Sequence, residues 1–193
     1  YPDTNNLQHY NLGLSFIYRG FPLYRELRES RLMYPKTKFC LCIISNDSDS
    51  YRKQFIEKLS EYKPIDCFGK LFKNQSNQII ETSSWYNPLI LDIIKDYKFM
   101  ICMENTMVPN YWSEKIVNGY LGNTIPIYWG DPNISDIFNP MSYIDATEVN
   151  MENAIERIKE LDNNDTEYCK IFSEPPIISN KYDKFYKIGR AHV

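Results

Sequence analysis

Histidine is nearly missing from this chain: among 193 residues it occurs only as His9 and His192. A Ser-His-Asp triad or a histidine-rich zinc site therefore has almost nothing to be built from. Glycine is scarce too, at seven residues. Neither a Walker loop nor a G-x-G-x-x-G run occurs, which removes the common glycine-cradled phosphate sites. No stretch approaches about 18 consecutive apolar residues, so no segment reads as a transmembrane helix, and no secretory leader pattern is visible. The formal charge of −3 leaves no basic excess, and nucleic acid is not an expected partner. No two cysteines stand in C-x-x-C spacing. Cys40, Cys42, Cys67, Cys102 and Cys169 read as buried free thiols, with Cys40 and Cys42 on one face of a strand.

What is present is a chain 43% hydrophobic and 15% aromatic, enough for one domain, or one and a fraction, with a sizeable core. Residues 1–37 mix aromatics and charge without a sustained period and read as a lead-in with one short helix near 23–31. The terminal Ile188-Gly189-Arg190-Ala191-His192-Val193 continues no earlier pattern and matches one reading frame of a widely used sequencing adapter. It is expected to be artefactual, the chain to be a fragment open at both ends, and His192 to be without function.

Between these ends, strand and helix patterns alternate. Phe39–Ile44 is an apolar run of strand length, suited to a strand covered on both faces. Tyr51, Phe55, Leu59 and Tyr62 recur at helical spacing, with Asp49 or Ser50 as cap and Pro64 as stop. Ile65–Gly69 reads as a second strand, 89–97 as a helix, Phe99–Met103 as a third strand and Ser113–Leu121 as a helix. Thr124–Gly130 reads as a fourth strand, placed at an edge or in irregular pairing by Pro126. Ala154, Ile155, Ile158 and Leu161 mark a further helix. The pattern predicts an α/β fold, a parallel sheet with helices on both faces, whose ligand site lies beyond the carboxyl ends of its strands.

Three segments fall at those ends. Asp47-Ser48-Asp49 matches the D-x-D with which metal-dependent glycosyltransferases hold a pyrophosphate, and equally reads as a polar cap for the next helix. Arg52 sits in the first turn of that helix, where amide groups and a guanidinium together suit an anion, although such an arginine is commonly solvated. In the second segment Glu104-Asn105-Thr106 follows a strand, and Tyr111-Trp112-Ser113-Glu114-Lys115 opens a helix. A lysine there opposes the helix dipole by a few tenths to about 1 kcal/mol unless an anion is near. In the third, Tyr128 and Trp129 offer rings for stacking and Gly130 allows close backbone approach, or they simply form an aromatic strand and its turn.

Together, Tyr97–Thr106, Tyr111–Ile116 and Thr124–Gly130, continued by Phe138-Asn139-Pro140 and Ser142-Tyr143-Ile144, resemble the signature block of the α1,3/α1,4-fucosyltransferases, glycosyltransferase family 10, in its bacterial version. Ser45-Asn46, Arg52 and Ile65–Gly69 extend the resemblance upstream. It implies a two-domain GT-B enzyme whose Rossmann-like C-terminal half, here 38–178, binds GDP-fucose, with 179–193 as a tail. The resemblance places Arg52 and Lys115 on the pyrophosphate. It places Asn105, Tyr111 and Glu114 on ribose and fucose, Glu114 also stabilising positive charge on the sugar ring. Asn46, Tyr128 and Gly130 are secondary candidates.

It further implies inverting transfer without an obligatory metal or other cofactor, and a general base in the N-terminal acceptor domain. The acceptor is then a glycan of N-acetyllactosamine type, and this chain alone is expected to bind donor without turnover. Compartment stays open between a cytoplasmic or peripheral-membrane setting in bacteria and the Golgi in eukaryotes. The sequence departs from the family pattern at Trp112-Ser113, where Ser113 keeps a hydroxyl able to cap the helix. Two other readings stand beside this one: a non-catalytic nucleotide- or carbohydrate-binding module, and a metal-dependent GT-A-type transferase using Asp47 and Asp49.

Overall fold

The computed structural model describes residues 31, 33, 35–46, 50–77, 80, 88–146 and 151–177. Apolar runs of strand length become β1 (Lys38–Cys42), β2 (Ile65–Cys67), β3 (Tyr97–Met103), β4 (Ile125–Trp129) and the two-residue β5 (Ile144–Asp145). They form one sheet in the order β2-β1-β3-β4-β5, with every neighbouring pair parallel. Between and after them lie α1 (Ser50–Ser60), α2 (Pro88–Ile94), α3 (Glu114–Leu121), α4 (Met151–Asn163) and α5 (Asp165–Ser173). Two short 3₁₀ turns, Ile134–Asp136 and Pro140–Ser142, connect β4 to β5.

Helices cover both faces, as the strand patterns predict. Cys40, Cys42, Ile65, Phe99, Ile101, Ile125 and Ile127 pack on one face against Phe55, Ile56 and Leu59 of α1, Ile155, Ile158 and Leu161 of α4, and Phe172 of α5. Leu41, Met100, Cys102 and Tyr128 face the other way, against Ile94 of α2, Ile116, Val117 and Tyr120 of α3, and Phe138. Path direction explains the division. The chain steps one way from β1 to β2 and back past β1 to β3, and right-handed crossovers in opposite directions place their helices on opposite faces. The reversal lies between β1 and β3, and its carboxyl edge is the crevice where open α/β sheets bind ligands.

Several boundaries differ from expectation for identifiable reasons. The Phe39–Ile44 run leaves the sheet after Cys42, and the Ile65–Gly69 strand stops at Cys67, because the two segments cross. Leu71 N–H donates to Ile44 O at 2.9 Å, and a Cβ on Gly69 would lie 2.0 Å from that oxygen. The helix expected over 89–97 ends at Ile94, since Tyr97 is taken into β3 opposite Lys38 and donates its hydroxyl to Asp66 Oδ2 at 2.6 Å. Pro126 stands in β4, which is interior, contrary to the edge placement. β5, however, pairs only at Ile127 and Tyr128, and the Tyr128 carbonyl accepting from Ala146 N–H identifies the side that β5 occupies. Pro126 turns its nitrogen to that same side just before β5 begins, so no ladder bond is lost.

β5 and α5 were not expected. α5 starts at a cap in which Asn164 Oδ1 accepts from Glu167 N–H at 3.1 Å. Four of the five thiols are buried as expected, whereas Cys169 on α5 is exposed. The helix expected over 23–31 falls outside the described residues except for Arg31. Among the described residues, no helix is long and apolar enough to cross a membrane.

Candidate functional site

Arg52 is placed by α1, whose Phe55, Ile56 and Leu59 are locked into the core. Its side chain is directed to the carboxyl edge and is fully buried, not solvated. Nη1 donates to Asn105 Oδ1 at 2.9 Å, and Nη2 donates to the backbone carbonyl of Asn46. One guanidinium thus joins the segment leaving β1, the start of α1 and the segment leaving β3. Burying such a group is unfavourable unless its hydrogen bonds are met, and charge-assisted bonds of this kind contribute about 1.5–3 kcal/mol each. Asn46, a secondary candidate, serves through its carbonyl and lies at the surface.

A second cluster lies where β3 and β4 end. Glu104 is fully buried, its backbone N–H donating to Trp129 O at 2.8 Å. Its carboxylate accepts from Ser113 N–H at 2.7 Å and from Ser113 Oγ at 2.9 and 2.7 Å. Lys115 Nζ completes the group, donating to Glu104 Oε2 and to Ser113 Oγ at 2.8 Å each. The anion that a lysine at a helix start calls for is therefore supplied by the protein itself. This corrects the expected use of Ser113: it occupies the N-cap position of α3, but its hydroxyl serves Glu104 and makes no bond to a helix amide. Asn105, Tyr111, Glu114 and Lys115 are all partly exposed.

The aromatic segment is employed differently from expectation. Tyr128 is fully buried, with its hydroxyl accepting from Asp131 N–H at 2.9 Å and its ring edge-on to Tyr143; it is no stacking platform for a ligand. Trp129 is stacked on Tyr51 at 5.3 Å between centroids. Gly130 has φ +156°, and a Cβ there would lie 2.6 Å from Glu104 Cγ. Its missing side chain makes room for Glu104, not for a ligand.

Two residues central to this geometry were not singled out as site residues. Glu104 appeared only as a member of the Glu104-Asn105-Thr106 run, although an acid directly after five buried strand residues was a usable signal. Asp131 is also fully buried. Its Oδ1 accepts from Asn110 N–H at 2.8 Å and Asn133 N–H at 2.9 Å, tying the loop after β3 to the loop after β4, and burial raises its carboxyl above the ordinary value. Among the described residues, no three His, Cys, Asp or Glu side chains converge as metal ligands. Asp47 and Asp49 lie outside the described residues.

Residues 33–174 match the sequence model of glycosyltransferase family 10 (fucosyltransferase), C-terminal part. A protein of Acanthamoeba polyphaga mimivirus, provisionally named a fucosyltransferase, is 32% identical over 170 residues, covering 85% of this chain and 28% of its own length. An alpha-(1,3)-fucosyltransferase of Helicobacter pylori is 30% identical over 143 residues, covering 74% and 28%. A crystal structure of an alpha1,3-fucosyltransferase with GDP-fucose superposes with a TM-score of 0.66 at 25% identity, over 86% of this chain and 48% of that one. The chain thus spans under a third of these curated relatives and about half of the solved structure. It belongs to glycosyltransferase family 10, the fucosyltransferases, and its sheet is the C-terminal part of that family's fold.

Proposed function

We propose that this chain is the donor-binding half of an inverting α1,3-fucosyltransferase that moves fucose from GDP-fucose to a glycan hydroxyl. The observation that carries the reading is the convergence of Arg52 and Asn105, at 2.9 Å, on the sheet's reversal point, with Lys115 at the start of the neighbouring helix. Two cations beside helix amide groups suit a diphosphate. That a solved relative carries GDP-fucose supports a nucleotide-sugar as donor.

In this reading Arg52 and Lys115 neutralise the diphosphate, while Asn105 and Tyr111 contact ribose and fucose. Glu114 stabilises positive charge as the bond from the anomeric carbon to phosphate oxygen breaks. The acceptor oxygen attacks that carbon as GDP departs, and its proton passes to a base carried by the acceptor-binding part of the enzyme. Electrostatic stabilisation of the departing diphosphate is the contribution assigned to this half. The proposed acceptor is a glycan of N-acetyllactosamine type, carried on lipopolysaccharide at a membrane surface. Donor chemistry is assigned to these side chains without a metal.

Calorimetric titration with GDP tests the reading. Binding is expected for the wild-type chain and a marked loss for Arg52→Ala. Equal affinities in the two proteins overturn the assignment of Arg52.

A further inference from the structure

Lys115 lies in the first turn of α3, where the helix dipole disfavours a cation, and its long flexible stem has many rotamers to lose on ordering. Left alone, such an ammonium would sample solvent. Here its side chain is only 18% exposed, because Glu104 holds it. The carboxylate is itself immobile. Ser113 N–H and Oγ bind it from the helix side, its backbone is bonded to Trp129, and the bare Gly130 lies against its Cβ and Cγ.

The proton count within the cluster is decisive. Ser113 Oγ has one proton and spends it on Glu104 while accepting from Lys115. Of the three ammonium protons, one goes to Glu104 Oε2 and one to Ser113 Oγ. The third is left for an oxygen arriving from the crevice. We propose that Glu104 is a positioning residue for donor binding: directly and through Ser113 it locks Lys115 into the orientation that meets the diphosphate. The ordering of the lysine is then complete before the donor arrives, which removes that cost from binding. The proposal rests on the reading of Lys115 as a diphosphate-binding residue.

A double-mutant cycle on the full chain, with GDP as probe, tests it. Glu104→Gln keeps the shape and the acceptor for Ser113 N–H but removes the charge that holds Lys115. It is expected to weaken GDP binding about tenfold in the wild-type background, as for a charge-assisted bond, and to have no effect in Lys115→Ala. Equal losses in both backgrounds, or no loss in either, overturn the proposal. Ser113→Ala, which leaves the carboxylate in place, is the second variant should Glu104→Gln not fold, and the same non-additivity is expected.

A readout independent of the donor is the rate at which Lys115 is acetylated by a water-soluble anhydride. It should rise several-fold in Glu104→Gln, with exposed Lys170 as internal reference, and an unchanged rate overturns the tether. A Lys115→Ala chain that binds GDP as the wild type does overturns the diphosphate reading of Lys115, while the acetylation rate still reports separately whether Glu104 holds it.

Discussion

Arg52 Nη1 donates to Asn105 Oδ1 at 2.9 Å across the point where the sheet reverses direction. The two residues are 53 positions apart in sequence and stand on segments leaving adjacent parallel strands, β1 and β3. Because the guanidinium is fully buried, the bond ties the two segments together and holds the crevice in shape.

Replacement of Arg52 should therefore act on folding and on binding together. Arg52→Ala leaves the Asn46 carbonyl and Asn105 amide without their donor and is expected to cost about 3 kcal/mol of stability. It should also weaken GDP binding by one to two orders of magnitude, since about 1.4 kcal/mol corresponds to tenfold. Arg52→Lys keeps the charge but loses the planar fork, and should restore part of the affinity while remaining destabilised. Thermal unfolding and calorimetry on the three proteins separate the two effects.

Two glycines differ in what a methyl group would strike. At Gly69 the new Cβ would sit 2.0 Å from Ile44 O and 2.3 Å from Ile44 C, which are backbone atoms. At Gly130 it would meet the Glu104 side chain at 2.6 Å. Overpacking costs about 1–3 kcal/mol, and Gly69→Ala belongs at the upper end because backbone cannot step aside. Gly130→Ala adds the strain of a side chain at φ +156° to its clash with the buried Glu104, so it too should be destabilised, and it should in addition lower GDP affinity by displacing the anchor of Lys115. A Gly130→Ala chain with wild-type affinity counts against that link.

The thiols give a simple test of the packing. Cys40, Cys42, Cys67 and Cys102 are buried and Cys169 is exposed. Titration with an aromatic disulfide reagent at pH 8 should show one fast thiol in the native chain and five after denaturation. Cys169→Ser should abolish the fast phase. Two or more fast thiols in the native chain contradict the packing of β1, β2 and β3.

Burial holds the Cys40 and Cys102 thiols well above their usual value of 9.0. Desolvation likewise raises the Tyr120, Tyr128 and Tyr168 phenols above 10.0. Each raised acid keeps its proton in the folded state where the unfolded chain would lose it. Their stabilisation is thus complete below about pH 9 and is lost as pH rises through the folded values. Lys36 acts in the opposite sense: burial and the nearby Arg31 lower its ammonium to about 8, so the unfolded chain binds more protons between about 8 and 10.5 and that contribution rises with pH. Cys42, Tyr51 and Tyr97 are raised as well, and these acids outnumber the lowered bases Lys36 and Arg31, so unfolding free energy should fall between pH 9 and 11. Lys36→Met should make the fall steeper. Denaturant titrations across that range measure both.

Much of the fold was legible because its strands are covered on both sides and its helices on one. Unbroken apolar runs mark the first kind, and three-to-four spacing marks the second. β5 was not legible, since two residues carry no period. Tyr128 and Trp129 misled for a related reason. Strand alternation puts neighbouring side chains on opposite faces, but it does not say that both faces are covered. Here Tyr143 lies against one ring and Tyr51 against the other.

The site divides in the same way. That cations stand at two helix starts beyond strand ends can be read from the residues alone, because strand length, helix period and capping residues are local properties. Which groups those cations meet was decided only by the tertiary structure. Arg52 finds Asn105 because β1 and β3 become neighbours although β2 lies between them in the chain. Lys115 finds Glu104 because the loop after β3 folds back on its own strand end and is held there by Asp131. Such pairings depend on distances between separately placed elements, and no local pattern of residues encodes a distance.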